Sequence, residues 1–242
     1  EDGYWVAAVD HKDSTCGSKK QKLQRPEEPF VDQEKWDDKT YTDRKDDINA
    51  MLDAMVNNDL FLKHVDFEHI GIVGHSLGGY TAIGMGGGWQ SWKNPHIKAV
   101  LALSPYSTPF LAKNTIPDIN VPIMYQGGTR DVGITPNLSK AEGAYNLTHS
   151  HKYLVILDGA SHFAWTDKIT TYHSSIISYG VAFFDYHLRG NASAGKLLME
   201  QRSDVSSLYY DSAQGKTDGP KAPVIGADTK SKGKLRERIR GQ

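Results

Sequence analysis

One serine, at a sharp turn between a strand and a helix, is the feature that most constrains the fold of this chain. Residues 71–79 read GIVGHSLGG, a buried-strand pattern running into a Gly-x-Ser-x-Gly turn. A serine on such a strained turn projects its hydroxyl away from the backbone, so Ser76 is a candidate nucleophile. We expect Gly74 and Gly78 to leave room where any Cβ would collide with the neighbouring strand or helix. We also expect the backbone N–H of Leu77 to point at the oxygen of an incoming carbonyl group.

The bulk composition favours one domain with its own core. The chain has 242 residues, of which 38% are hydrophobic, and a chain of this size can bury one sizeable core. Its formal net charge of -1 provides no field that attracts nucleic acid, and no apolar run is long enough to predict a membrane span. The single cysteine, Cys16, permits no internal disulfide and is expected to be a small structural thiol. Cysteine usage therefore assigns neither a secreted nor a cytoplasmic location.

Apolar runs alternate with helical patterns along most of the chain. Besides the run before Ser76, short apolar segments predict buried strands over residues 4–10, 97–103, 121–128 and 152–157. Apolar positions at helical spacing predict helices from about 43 to 56 and from about 170 to 188. This alternation predicts an α/β fold with a mostly parallel central sheet and helices on both faces, because right-handed crossovers cover both sides.

Composition also suggests where the domain ends. Residues 1–205 are expected to form the α/β domain, and residues 206–242 are expected to be a flexible C-terminal tail. Beyond Tyr210 the chain is rich in Gly, Pro, Lys and Asp, with few large apolar groups. The basic residues at 230–240 have no aromatic residues between them, which favours a solvated surface over a nucleic-acid site. The charged segment 12–39 is expected to be a surface loop at the rim of the pocket.

A serine nucleophile needs a histidine that accepts its proton and a carboxylate that orients the histidine. On an α/β sheet the order is Ser, then Asp or Glu, then His, each on a loop after a strand. Asp131 fits the acid, because it closely follows the predicted strand 121–128, which ends in two glycines. His162 fits the base, because it lies in a turn-rich loop after the strand that ends at Leu157. Three positions in the expected order are more specific than the serine motif alone.

Other polar residues are alternatives to this assignment. Asp158 and Asp167 lie closer in sequence to His162, but we expect Asp158 to form its own turn and Asp167 to cap the following helix. His75 and His11 are each expected either to line the pocket or to make a structural hydrogen bond. No pair or trio of residues has convincing metal-ligand spacing, so no metal site is expected.

Taken together, these segments resemble the α/β-hydrolase superfamily. The resemblance is closest to its dienelactone-hydrolase-like and platelet-activating-factor-acetylhydrolase-like branch, a neighbour of the cutinases and polyester hydrolases. The segments that carry it are residues 6–11, 41–48, 74–79, 127–131 and 159–163. The resemblance implies an esterase that forms an acyl-enzyme on Ser76, with His162 as general base and then acid, Asp131 orienting it, and no cofactor. It implies small-molecule or lipid-like carboxylic esters as substrates.

The pocket and the reaction leave alternatives open. Tyr106, Phe110, Phe163 and Trp165 lie on loops after strands and are candidates for an aromatic acyl pocket, with plain core packing as the alternative. The same triad serves amide or peptide cleavage and acyl transfer, and a non-catalytic hydrolase-like binding module is an alternative from another class.

One expected part of the family pattern is not found in the sequence. The second oxyanion donor of such hydrolases usually comes from a loop after a strand that would precede residues 4–9. Three explanations are open: the sequence lacks its natural N-terminus, another loop supplies the donor, or the site is impaired. We favour the first and therefore expect a sheet that lacks its first strands, with an exposed edge and weak stability. The loss of one such donor costs about 3 kcal/mol of transition-state stabilisation.

Overall fold

The computed structural model describes residues 3–13, 26–149 and 151–220. Cys16 and the basic segment 230–240 lie outside the described residues. Within those ranges the strands form one sheet whose spatial order follows the sequence. The strands are β1 (Ile70–His75), β2 (Ile97–Leu103), β3 (Ile123–Gly128), β4 (Lys152–Leu157), β5 (Val205–Ser212) and β6 (Gly215–Lys216).

The helices of the described residues connect and flank these strands. The α-helices are α1 (Thr42–Val56), α2 (Asp59–Leu62), α3 (Leu77–Ile83), α4 (Thr108–Ala112), α5 (Thr135–Ser139), α6 (Ala144–Leu147), α7 (His173–Arg189) and α8 (Ala192–Leu197). Shorter 3₁₀-helices cover Gln33–Lys35, Gln90–Trp92, Ile116–Asp118 and His162–Trp165, and a π-helical turn covers Gly84–Gly88. Among the helices described, none combines the length and the apolar character that crossing a membrane requires.

The predicted α/β architecture is observed, and the sheet is partly antiparallel. Strands β1 to β4 pair in parallel, whereas β5 pairs antiparallel with β4 and β6 antiparallel with β5. Helices cover both faces of the sheet because successive side chains of a strand point to opposite sides. In β2, Val100 and Ala102 belong to a core that includes α3, while Ala99 and Leu101 belong to a second core that includes α7.

The interpretation of residues 4–10 as a buried parallel strand is wrong. This segment has no regular secondary structure and is largely exposed, with Val6 87% exposed and Trp5 54% exposed. Its larger side chains pack against helices instead of beside a strand: the Tyr4 hydroxyl donates to Asp185 of α7 at 2.7 Å, and the Trp5 ring lies 5.7 Å from Phe61. A short apolar run does not by itself identify a buried strand. Strand β1 lies at one edge of the described sheet.

The start of the expected tail also differs from the structure. Strand β5 begins at Val205 and pairs along β4, from Val205 opposite Leu157 to Asp211 opposite Lys152. Leu208 and Tyr210 pack against the core beneath α7, and Tyr209 packs against the other core. Residues 205–212 read VSSLYYDS, in which apolar and polar residues do not alternate strictly, so the sequence pattern does not by itself identify a strand here. Residues 221–242 lie outside the described residues.

The described part of the charged loop 12–39 is anchored to the core by aromatic side chains. Trp36 is fully buried, and its indole N–H donates to the carbonyl of Pro29 at 3.1 Å. Its ring lies 5.2 Å from Tyr80 and 4.8 Å from Tyr106. This loop therefore covers Tyr106 instead of leaving it open to solvent.

The half-buried side chain of His187 predicts how stability depends on pH. Partial burial of the His187 side chain, and secondarily the charge of His151, lowers the pKa of His187 from 6.5 to about 4. Below pH 6.5 the unfolded chain protonates this histidine, whereas the folded chain does so only near pH 4, so stability falls as the pH drops through this window. We expect His187 to account for a loss of about 2–3 kcal/mol between pH 7 and pH 4.5.

Urea denaturation at the two pH values measures this loss. The His187→Gln variant should lose less stability on acidification than the wild type, whereas His96→Gln, at an exposed position, should keep the wild-type dependence. Equal pH dependence in the wild type and His187→Gln would contradict the prediction.

Candidate active site

The turn around Ser76 has the geometry that the sequence predicts. Ser76 follows β1 directly, precedes α3, and has φ 56° and ψ -116°. A positive φ is rare for a residue with a side chain and is held only when the surroundings enforce it. At Gly74 a Cβ would lie 2.1 Å from the carbonyl oxygen of Gly78, so only glycine fits there. The strand and the helix therefore meet at closest approach just before the serine.

The prediction that a Cβ on Gly78 would collide with a neighbouring element is wrong. The close contact is at Gly79 instead. A Cβ on Gly78 would have nothing within 4 Å, whereas a Cβ on Gly79 would lie 2.5 Å from Cβ of Pro105. The reason is the helical rotation of about 100° per residue, which turns position 79 towards the segment after β2 and position 78 away from it.

The structure brings Ser76, His162 and Asp131 together. His162 Nε2 lies 2.9 Å from Ser76 Oγ, and His162 Nδ1 lies 3.1 Å from Asp131 Oδ2. Asp131 is 5% exposed and lies in the turn after β3, while His162 begins the 3₁₀-helix after β4. Because parallel strands end at the same edge of the sheet, loops that are distant in sequence converge on the serine.

The alternative acids have other surroundings. Asp158 accepts a hydrogen bond from the hydroxyl of Thr129 at 3.2 Å, in the turn that follows β4. Asp167 is exposed and does not cap the next helix, whose N-cap residue is Tyr172. The helix begins later than expected, so the cap assigned to Asp167 is wrong.

Ser104 contacts both Asp131 and His162, a position that the sequence does not predict. It directly follows β2, is fully buried and has φ 42°. Its hydroxyl donates to Asp131 Oδ2, and its oxygen lies 2.8 Å from His162 Nδ1. A serine at the end of a parallel strand was the available signal, but serine is too common after strands for that signal to be specific.

His75 supports the loop that carries His162. Its Nε2 lies 2.9 Å from the carbonyl oxygen of His162 and donates to it, and the two imidazole rings are 4.8 Å apart. Burial, and then the charge of His162, lowers the pKa of His75, which favours the neutral ring. His11, the other histidine expected to line the pocket or to make a structural hydrogen bond, pairs with Asp47 of α1 at 2.8 Å.

The aromatic pocket candidates separate into two groups. Phe163 is 50% exposed beside His162. The half-buried Trp165 stacks on His75, with ring centroids 6.2 Å apart and an angle of 20° between the ring planes. Phe110 is fully buried and belongs to the core, and Tyr106 is 7% exposed. The Tyr106 N–H nevertheless donates to the carbonyl of Ser76 at 3.1 Å. Of these four candidates, Phe163 and Trp165 are therefore the ones that present accessible aromatic surface near the serine.

The start of α3 lies beside Ser76 and can stabilise negative charge there. Leu77 is the first residue of α3, so its backbone N–H is one of those that a helix start leaves without an intrahelical partner. The positive end of the helix dipole lies at the same place.

Within the part of the chain that the structure describes, no group of three or more His, Cys, Asp or Glu side chains could hold a metal ion.

Comparison with known proteins gives the site a family context. A family model for PETase, described as PET hydrolase-like, matches residues 32–212, which include Ser76, Ser104, Asp131 and His162. The bis(hydroxyethyl) terephthalate hydrolase of Streptomyces coelicolor (strain ATCC BAA-471 / A3(2) / M145) is 27% identical over 139 residues, which are 56% of this chain. The match spans only 41% of the length of that relative. The resemblance to the neighbourhood of cutinases and polyester hydrolases is confirmed, and the chain belongs to the PETase family of PET hydrolase-like proteins.

Proposed function

We propose that this chain hydrolyses carboxylic esters through an acyl-enzyme on Ser76. The observation that carries the proposal is the continuous hydrogen-bonded path from Ser76 Oγ to His162 Nε2 at 2.9 Å and from His162 Nδ1 to Asp131 Oδ2 at 3.1 Å. A neutral hydroxyl is a weak nucleophile, and a histidine at this distance can remove its proton as the oxygen attacks.

In the first half of the reaction, Ser76 Oγ bonds to the ester carbonyl carbon and its proton passes to His162 Nε2. The buried carboxylate of Asp131 stabilises the imidazolium that forms, because charges interact more strongly where water is excluded. The N–H of Leu77 and the N-terminus of α3 support the negative charge that develops on the carbonyl oxygen. His162 then gives its proton to the departing alkoxide, which leaves as an alcohol and leaves the acyl group on Ser76.

In the second half, water replaces the alcohol. His162 removes a proton from the water as its oxygen attacks the acyl carbon, and then returns the proton to Ser76 Oγ as the acid is released. The enzyme regains its starting protonation state. This proposed chemistry uses side chains and backbone of the chain alone.

We further propose esters of aromatic acids as the substrate class. Phe163 and Trp165 present aromatic surface beside His162, and aromatic rings pack well in offset or edge-to-face contact. The relative from Streptomyces coelicolor is named for a terephthalate ester, which fits this surface. Bis(hydroxyethyl) terephthalate is therefore the first substrate to test.

Labelling with a fluorophosphonate tests the mechanism without knowledge of the substrate. We expect a single adduct by intact mass, located on Ser76 by peptide mapping, and no adduct in Ser76→Ala or after a matched incubation of His162→Ala. Hydrolysis of bis(hydroxyethyl) terephthalate should exceed cleavage of a matched anilide, which separates esterase from amidase activity. A folded protein that takes no label would overturn the proposal in favour of a non-catalytic binding module.

A further inference from the structure

Ser104 occupies a conformation that its surroundings impose. It lies at the end of β2, between the loops that carry Asp131 and His162, and it is fully buried. Its φ of 42° is in the left-handed region, which serine seldom adopts. Its backbone N–H is held by the carbonyl of Gln126 on β3 at 2.8 Å. Strain at a buried residue that touches a reactive site is a reason to look for a role in that site.

The hydroxyl of Ser104 has one proton to donate and lone pairs that accept. It donates the proton to Asp131 Oδ2, which leaves its oxygen facing His162 Nδ1 at 2.8 Å. His162 Nε2 must be unprotonated to accept the proton of Ser76, so Nδ1 carries the hydrogen in the resting state. That N–H therefore faces two oxygens, Asp131 Oδ2 at 3.1 Å and Ser104 Oγ at 2.8 Å.

We propose that Ser104 is a positioning residue of the triad, which ties the Asp131 carboxylate to the His162 ring and supports the imidazolium formed during reaction. This inference rests on the proposed function. Ser104 does not touch the Ser76 hydroxyl or the substrate carbonyl in the mechanism above and acts through His162 and Asp131. Removal of its hydroxyl leaves the direct contact between Asp131 and His162 in place but gives both groups more freedom to move.

The test uses two variants that remove the same hydroxyl. Because the Ser104 hydroxyl donates a hydrogen bond to the charged Asp131 carboxylate, we expect its removal to lower kcat about 10- to 100-fold in Ser104→Ala and in Ser104→Gly, with KM unchanged. Glycine adopts a φ of 42° without strain and alanine does not, so a purely structural effect would separate the two variants. Thermal unfolding reports whether each variant is folded, and Ser104→Gly remains informative if Ser104→Ala unfolds.

A neighbouring serine and a second background complete the test. Ser107 is 1% exposed, and its hydroxyl has no hydrogen-bond partner within the described part of the chain, so Ser107→Ala should keep the wild-type kcat. In an Asp131→Ala background, Ser104→Gly should change kcat by a factor different from that in the wild type, because Ser104 and Asp131 both face the same N–H of His162 and act as one unit.

The outcomes distinguish this inference from the proposed function. An active wild type whose Ser104→Ala and Ser104→Gly variants keep full kcat, or lose kcat by the same factor with and without Asp131, would overturn the positioning role alone. A folded wild type that neither takes the fluorophosphonate nor cleaves esters would overturn both the proposed function and this inference.

Discussion

Ser76→Ala is expected to lower kcat for ester hydrolysis by about 10⁶-fold, and His162→Ala by a similar factor. Both changes interrupt the same proton transfer across the 2.9 Å contact between Ser76 Oγ and His162 Nε2. The double variant should therefore be no slower than either single variant, because residues that act as one unit have non-additive effects. Asp131→Ala removes the orienting carboxylate and should cost about 10⁴-fold.

Steady-state kinetics with bis(hydroxyethyl) terephthalate measures these losses, and active-site titration of the wild type sets the enzyme concentration. His96→Ala is the matched histidine control, since His96 is exposed on the turn before β2, and it should keep the wild-type kcat. Effects of Ser76→Ala and His162→Ala that multiply in the double variant would contradict a shared step, as would a Ser76→Ala variant with a kcat close to that of the wild type.

The sequence predicts those parts of the site that have a local motif or a fixed place in the order of strands. The turn at Ser76 is specified by its own glycines and by the apolar runs on either side. The positions of Asp131 and His162 follow from the order of strands, because the end of each parallel strand lies at one edge of the sheet. The structure places both side chains within hydrogen-bonding distance of the serine system.

The parts that the sequence does not predict depend on tertiary contacts. The apolar run at 4–10 has the composition of a strand, but packing of Tyr4 and Trp5 onto helices determines its conformation. Strand β5 begins a stretch that becomes polar, and only its pairing with β4 identifies it. Ser104 becomes informative only through its φ and its contacts with loops 27 and 58 residues away in sequence.

The sequence motif also does not predict which glycines of the serine turn are in close contact with neighbouring atoms. The motif suggests equal roles for Gly74 and Gly78, since both flank the serine. The structure instead places the close contacts at Gly74 and Gly79, because the packing of α3 against β1 and the Pro105 segment determines which Cβ would collide. A sequence motif identifies the turn, but the collisions depend on how the helix is rotated against the sheet.

Gly74→Ala is expected to destabilise the fold by about 3 kcal/mol or more and to abolish labelling of Ser76. The new Cβ would lie 2.1 Å from the carbonyl oxygen of Gly78 and 2.8 Å from the backbone nitrogen of Gly79. Backbone atoms at this distance cannot rotate away as the end of a side chain can, so α3 must move away from β1. That movement would carry Ser76 away from His162 and lengthen the 2.9 Å contact on which proton transfer depends.

Gly78→Ala is the matched change four residues later, and we expect the opposite sign. Its Cβ would have nothing within 4 Å, and alanine in a helix is favoured over glycine by about 0.8–1 kcal/mol. The urea midpoint should therefore rise slightly for Gly78→Ala and fall strongly for Gly74→Ala, with Ser76 labelled only in the former. Equal midpoints and equal labelling of the two variants would contradict the close approach of α3 to β1. Because both variants add the same methyl group to the same motif, their difference isolates the contact between the strand and the helix as the determinant of the serine's position.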